Sequence, residues 1–173
     1  MTAAQRRETI LHMLENASAP LPAAALAKSC AVSRQIIVGD IALLRAGGTA
    51  IQATPRGYLL EREQGGYVRP VACVHTAGDM ERELELMVDH GCTVVDVMVD
   101  HPVYGQLSAA LSLSSRYDVA EFIRKVSECD AKPLSLLTEG VHLHTLRCPD
   151  QAVYDRVTAA LDKAGFLVES GTH

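Results

Sequence analysis

The 173-residue chain lacks a CxxC pair, a long apolar run, an internal repeat and any low-complexity tract. Its five cysteines, Cys30, Cys73, Cys92, Cys129 and Cys148, are odd in number, widely separated and mostly flanked by apolar residues. That pattern argues against a disulfide framework and a zinc knuckle, and reads as small, buried apolar side chains. No apolar stretch reaches the roughly 18 residues that a membrane helix needs. The opening stretch "MTAAQRRETILHMLEN" is interrupted by Glu8, His12 and Glu15, unlike the apolar core of a signal peptide. The expectation is therefore a cytoplasmic protein with no membrane partner. What is present, 48% apolar and 21% charged residues, suits an ordinary folded chain.

Charge is unevenly spread. Residues 1–62 carry seven Lys/Arg against four Asp/Glu, a net +3, whereas the remainder carries nine against seventeen, a net −8. A basic first third on an acidic body points to an anionic partner for that third alone.

Apolar positions Ile10, Leu11, Met13 and Leu14 recur at helical spacing behind a capping Thr2, and Pro20 and Pro22 stop that helix. A second helix is predicted over "PAAALAKSC", with Pro22 in its first turn. A third is predicted over "VSRQIIVGDIALLRAGG": Ser33 caps it, Ile36, Ile37, Ile41 and Leu44 form its apolar stripe, and Gly47-Gly48 ends it. Two short strands around Ile51 and Tyr58-Leu59-Leu60 follow, joined by the turn "TPRG". Three helices and a hairpin with Arg56 at its tip make a winged helix-turn-helix pattern. "EREQGGY" reads as a linker, with the boundary near Gly65-Gly66, which divides the chain into domains over 1–64 and 67–173. The second domain alternates strand, helix, strand, strand, helix, strand and helix, with "FLVES" as a last strand. The fold class expected is α+β, a winged helix-turn-helix followed by an α+β domain.

A recognition helix sets its first residues against base edges in the major groove. Ser33, Arg34 and Gln35 occupy that place: Arg can bond guanine bidentately, Gln can do the same to adenine, and Ser can reach a phosphate. Arg56 on the wing can enter an adjacent minor groove or pair with phosphate. Gly39 costs the third helix about 1 kcal/mol relative to Ala.

The second domain has a metal signal. In the strand "VHLHTLRC", His142 and His144 are spaced i, i+2 and so share a face. His75 closes the strand "VACVH", and Glu83 lies on the following helix, which Asp79 caps; both can meet that face if the strands are neighbours. Three imidazoles and a carboxylate suit zinc, nickel or iron(II), with room for an exogenous ligand. In "VDVMVDHPVYG", Asp96, Met98 and Asp100 share one face and Val95, Val97 and Val99 the other, read as the core face. His101 either lies near the metal group or caps a turn.

These stretches together resemble the niacin-responsive transcriptional repressors, in which a helix-turn-helix precedes a three-histidine (3H) domain. The resemblance is carried by "VSRQIIVGDIALLRAGG" with "ATPRGYLL", "VHT" with Glu83 eight residues after His75, "VDHPVYG", "SRYDVAEFI" and "GVHLHTL", over nearly the whole chain. It implies a homodimeric repressor of genes for NAD synthesis or niacin uptake, binding a double-stranded DNA operator, with nicotinic acid as corepressor. It implies a divalent transition metal at His75, Glu83, His142 and His144. His101 and Tyr104 are the candidate effector contacts. The chain departs from the pattern at Gly39, where similar proteins carry a polar residue, often Gln, so the operator sequence stays open. Two other readings compete: a regulator whose effector is the metal itself, and a metallohydrolase in which Glu85 or Asp100 serves as general base.

Overall fold

The Thr2 hydroxyl accepts from the Gln5 amide at 3.3 Å while the Gln5 side chain accepts from the Thr2 amide at 2.8 Å. This capping box starts α1 (Ala3–Asn16). A computed structural model describes residues 1–62 and 65–169 and divides the chain into two units, Met1–Gln64 and Gly65–His173.

In the first unit α2 (Ala23–Cys30) ends at Ala31, whose left-handed backbone (φ 54°) makes the short turn into α3 (Arg34–Ala46). The Ser33 hydroxyl caps α3 by accepting from the Ile36 amide at 3.4 Å. Strands β1 (Ile51–Thr54) and β2 (Gly57–Leu60) form the antiparallel wing, and Leu21 pairs with Tyr58 as a one-residue third strand. Gly57 permits that approach. Its φ is +137°, and a Cβ there would run into the Leu21 carbonyl.

Ile10, Leu14, Leu26, Ile37, Ile41 and Ile51 form the core of this unit. The inward stripe of α3 differs from the sequence expectation. Ile36 is 42% exposed, and the buried face is Ile37, Asp40 and Ile41, with Leu44 packed against the core, at i, i+3, i+4, i+7 spacing. Asp40 is tolerated there because Arg6 of α1 bonds both its oxygens, at 2.5 and 3.2 Å, and Arg7 approaches to 3.5 Å. The first helix is thus fastened to the third by charge as well as by packing.

The second unit contains one four-stranded sheet in the order β3-β6-β4-β5, with every neighbouring pair antiparallel. Its elements are β3 (Tyr67–Val74), a 3-10 turn (Ala77–Asp79), α4 (Met80–Asp89), β4 (Thr93–His101), β5 (Gly105–Leu113), α5 (Arg116–Glu128), a second 3-10 turn (Leu134–Thr138), β6 (Val141–Cys148) and α6 (Gln151–Lys163). Strands β3 and β4, joined through α4, run parallel with β6 inserted between them, a split β-α-β arrangement. That insertion makes β6 central and places its histidines beside β3 on one side and β4 on the other. The main core gathers Val71, Leu84, Met87, Leu113, Leu146, Val157 and Leu161 from the sheet and helices.

Three local expectations are corrected. The register of β4 shifts after Val94, so the core takes Val94 and, half-buried, Val97, while Val95 is left out of it. Asp79 precedes α4 but makes no capping bond; its carboxylate accepts from the Thr76 hydroxyl at 3.1 Å. "FLVES" makes one bridge, Leu167 to Cys73, rather than a strand, held by the Val74 amide on the Phe166 carbonyl at 2.8 Å and the Val168 amide on the Ala72 carbonyl at 3.1 Å; its last residue, Ser170, lies outside the described residues, as do Glu63 and Gln64 of the linker.

Among the cysteines, Cys30, Cys73, Cys92 and Cys148 are buried and Cys129 is exposed.

Candidate metal centre and nucleic-acid interface

Alternation along β6 turns His142 and His144 to the same face, and the antiparallel register sets Cys73 of β3 opposite His142 and Val71 opposite His144. His75 follows directly at the end of β3. Glu83, in the first turn of α4, points inward and is fully buried. Its carboxylate lies 2.7 Å from Nε2 of His75, 3.1 Å from Nε2 of His142 and 3.4 Å from Nε2 of His144. The three imidazole side chains are only 2–4% exposed. Glu83 therefore touches each of the three histidines grouped with it from the sequence.

Each imidazole uses its other nitrogen in the same way. Nδ1 of His75 lies 2.6 Å from the Thr76 carbonyl, Nδ1 of His142 lies 2.8 Å from the Gly140 carbonyl, and Nδ1 of His144 lies 2.7 Å from the Asp96 carbonyl. A carbonyl oxygen can only accept, so every Nδ1 carries a proton and donates. In the neutral ring, Nε2 is then a bare lone pair. Three lone pairs facing a carboxylate across 2.7–3.4 Å repel one another unless a proton or a cation lies among them.

The electrostatics express the same demand. Burial alone would raise the Glu83 carboxyl, but hydrogen bonds from His142, His144 and His75 hold it far below the usual carboxylate range. Burial disfavours the imidazolium forms of His75 and His144, yet the Glu83 hydrogen bond and charge outweigh it and raise both above the usual histidine value. Both shifts favour a proton between the imidazoles and Glu83.

Gly140 joins two parts of the cluster. Its φ is +92°, and a Cβ there would strike the His75 carbonyl, so the residue whose oxygen orients His142 must be glycine to pass His75. Asp96 acts twice: its backbone oxygen orients His144, and its side chain accepts from the Thr145 amide at 2.9 Å. Phe166 packs edge-on against His75 with centroids 5.5 Å apart, and the Arg82 guanidinium lies over the Phe166 ring, 5.4 Å from its centroid.

The remaining candidates are placed differently. Nδ1 of His101 accepts from the Val103 and Tyr104 amides at 3.1 and 3.2 Å, and its ring packs on Tyr104 at 5.0 Å. That is the turn-capping role; among the described residues, no contact joins His101 or Tyr104 to the cluster. Glu85 pairs with Arg116 at 3.5 Å, and Asp100 is exposed at the end of β4. Neither bonds to the cluster.

Sequence reasoning passed over Cys73. Its Sγ, a Glu83 oxygen and a His142 nitrogen all lie within 4.8 Å of one another. Burial, reinforced by Glu83, pushes its thiol well above the usual range.

In the first unit Ser33, Arg34 and Gln35 are exposed at the start of α3. The Ser33 hydroxyl is engaged in capping, whereas the Arg34 and Gln35 side chains make no hydrogen bond among the described residues. Four of the seven basic side chains bond within the unit: Arg6 and Arg7 to Asp40, and the exposed Arg45 and Arg62 to the Ile51 carbonyl at 2.7 Å and the Glu15 carbonyl. Arg56 is half-buried in a turn braced by Thr54, whose hydroxyl donates to the Gly57 carbonyl at 2.9 Å and accepts from the Arg56 amide at 3.2 Å. At Gly39 a Cβ would meet nothing within 4 Å, so the exposed surface of α3 is simply hollow there.

No helix among the described residues is long and apolar enough to cross a membrane. Residues 6–59 match the helix-turn-helix domain model and residues 68–170 the 3H domain model. The chain is 44% identical over 170 residues to the "Transcription repressor NadR" of Bacillus subtilis strain 168, covering 96% of this chain and 94% of that protein. It is 41% identical over 167 residues to the "Probable transcription repressor NiaR" of Thermotoga maritima, covering 96% and 95%. With both domain models in the same order and such relatives along nearly its full length, the chain belongs to the family of transcription repressors that join a helix-turn-helix unit to a 3H domain.

Proposed function

We propose that this repressor binds a double-stranded operator as a cytoplasmic homodimer, and that its 3H domain holds a divalent transition metal and responds to nicotinic acid in control of NAD synthesis or niacin uptake genes. The observation that carries the metal reading is the convergence of three Nε2 lone pairs on one buried carboxylate, each fixed by an Nδ1–H bond to a backbone carbonyl. Such second contacts orient imidazoles toward a metal and select the reactive nitrogen. The nitrogen and oxygen donors suit zinc, nickel or iron(II), with nothing to favour calcium or magnesium. A bound ion would supply the positive charge that the group lacks and a place for an anionic effector. The residues themselves set its position, exclude water and keep Glu83 ionised.

Support for the effector comes from the motif resemblance set out above, and the full-length similarity to NadR and NiaR supports the repressor role on which it would act. A ligand that alters DNA affinity must bind the DNA-competent state more tightly, and DNA must tighten the ligand in return. In a dimer the effector would act by setting the spacing of two recognition helices, which must lie about 34 Å apart to meet successive major grooves. Titration calorimetry of nicotinic acid into metal-loaded and chelator-stripped protein, with nicotinamide as control, tests this. Binding to the loaded form alone is expected. Equal binding to both forms would move the effector pocket away from the metal, and binding to neither would favour the ion itself as effector.

The shifted groups of the stripped site give a pH signature. Glu83, lowered from an ordinary 4.5, contributes stability above that value and loses it as pH falls. His75 and His144, raised from an ordinary 6.5, contribute stability below that value and lose it as pH rises through their folded values. Stripped protein is therefore expected to melt highest between these two values and lower toward alkaline pH. Metal-loaded protein is expected to gain over the same alkaline range, because the ion requires neutral imidazole. Thermal melts with and without chelator decide it, and parallel slopes would count against the metal.

A further inference from the structure

We propose that Cys73 is an additional ligand of this metal, bound as the thiolate, and that it biases the site toward soft transition metals. The inference rests on the metal reading above. Cys73 is wholly buried on β3, directly opposite His142 in the β3–β6 ladder. Its Sγ, a Glu83 oxygen and a His142 nitrogen all lie within 4.8 Å of one another. A thiol at that spacing is near enough to be drawn in by a common ion, and its polar partner, Glu83, is itself one of the residues that would hold the ion.

Charge supplies the second argument. A divalent ion held by three neutral imidazoles and one carboxylate leaves a net positive charge among side chains that are at most 4% exposed. An uncompensated buried charge is costly. A coordinating thiol loses its proton outright. The S–H bond breaks, a sulfur–metal bond forms, and the proton leaves to bulk water; Glu83 and the thiolate then neutralise the ion. An incoming carboxylate effector would compete for that same role, which links ligand exchange at the metal to the state of Cys73. Thiolate also favours zinc, nickel and other softer ions over magnesium or manganese.

Cobalt(II) is the probe. Titrated into the stripped full-length protein, it reports occupancy by visible ligand-field bands and sulfur ligation by a near-ultraviolet thiolate-to-metal charge-transfer band. Wild type is expected to show both. Cys73→Ser and Cys73→Ala are each expected to keep the visible bands and lose the charge-transfer band, while Cys92→Ala keeps both. Visible bands without charge transfer in wild type, or charge transfer surviving in either Cys73 variant, would overturn the assignment of Cys73 and leave the histidine–glutamate site standing. Failure of wild type to take up cobalt, or uptake unaltered in His144→Ala, would instead overturn the site itself and the Cys73 proposal with it.

Discussion

Glu83→Gln is expected to lower zinc or nickel affinity by more than about 100-fold. Substitutions one contact removed from a metal already cost roughly 10- to 100-fold, and Glu83 is the carboxylate on which all three imidazoles converge. Glutamine keeps the shape and one oxygen but removes the charge. Its amide also supplies N–H donors that can satisfy Nε2 lone pairs, so the stripped variant should fold and should lose the alkaline weakening expected of wild type. Competition against a chelator of known affinity measures the first effect, and melts across pH measure the second. Wild-type metal affinity in Glu83→Gln would remove the carboxylate from the ligand set. A collapsed fold at every pH would mean that its role is structural.

Arg34→Ala is expected to weaken operator binding by about 1 to 3 kcal/mol, roughly 5- to 150-fold, while leaving stability unchanged. The side chain is exposed at the first residue of α3 and makes no hydrogen bond among the described residues, so its removal takes nothing from the fold. Discrimination between operator and random DNA should fall with it. Equal losses on both would recast Arg34 as a phosphate contact, and no loss on either would take the start of α3 out of the interface. Salt must be held constant, because phosphate contacts make every such affinity depend on it.

Much of the candidate centre is legible from strand alternation alone. Spacing i, i+2 puts His142 and His144 on one face whatever the fold, and a histidine closing one strand with a glutamate on the next helix completes the group once the strands are neighbours. Cys73 was hidden because a cysteine between alanine and valine looks like core, and only the pairing of β3 with β6 reveals its partner. Asp40 was hidden similarly. An acid within an apolar helix reads as outward-facing until Arg6 and Arg7, more than thirty residues earlier, are known to meet it. The apolar residues of α3 taken alone put Ile36 in the stripe, because the i, i+3, i+4, i+7 face that is actually buried contains a charge. The β4 shift that exchanges Val95 for Val94 depends on how two neighbouring strands match, which a single strand's alternation does not encode.

The three oxygens that orient the imidazoles are all main-chain, from Thr76, Gly140 and Asp96. Side-chain replacement cannot delete them. The tautomer of each histidine is therefore written into the path of the chain rather than into neighbouring residue types, and drift at those neighbours leaves the donor set aimed as before. The exception is Gly140, where a single added carbon meets the His75 carbonyl and disturbs the supports of two histidines at once. A centre built this way tolerates change almost everywhere around it and concentrates its fragility in one residue with no side chain.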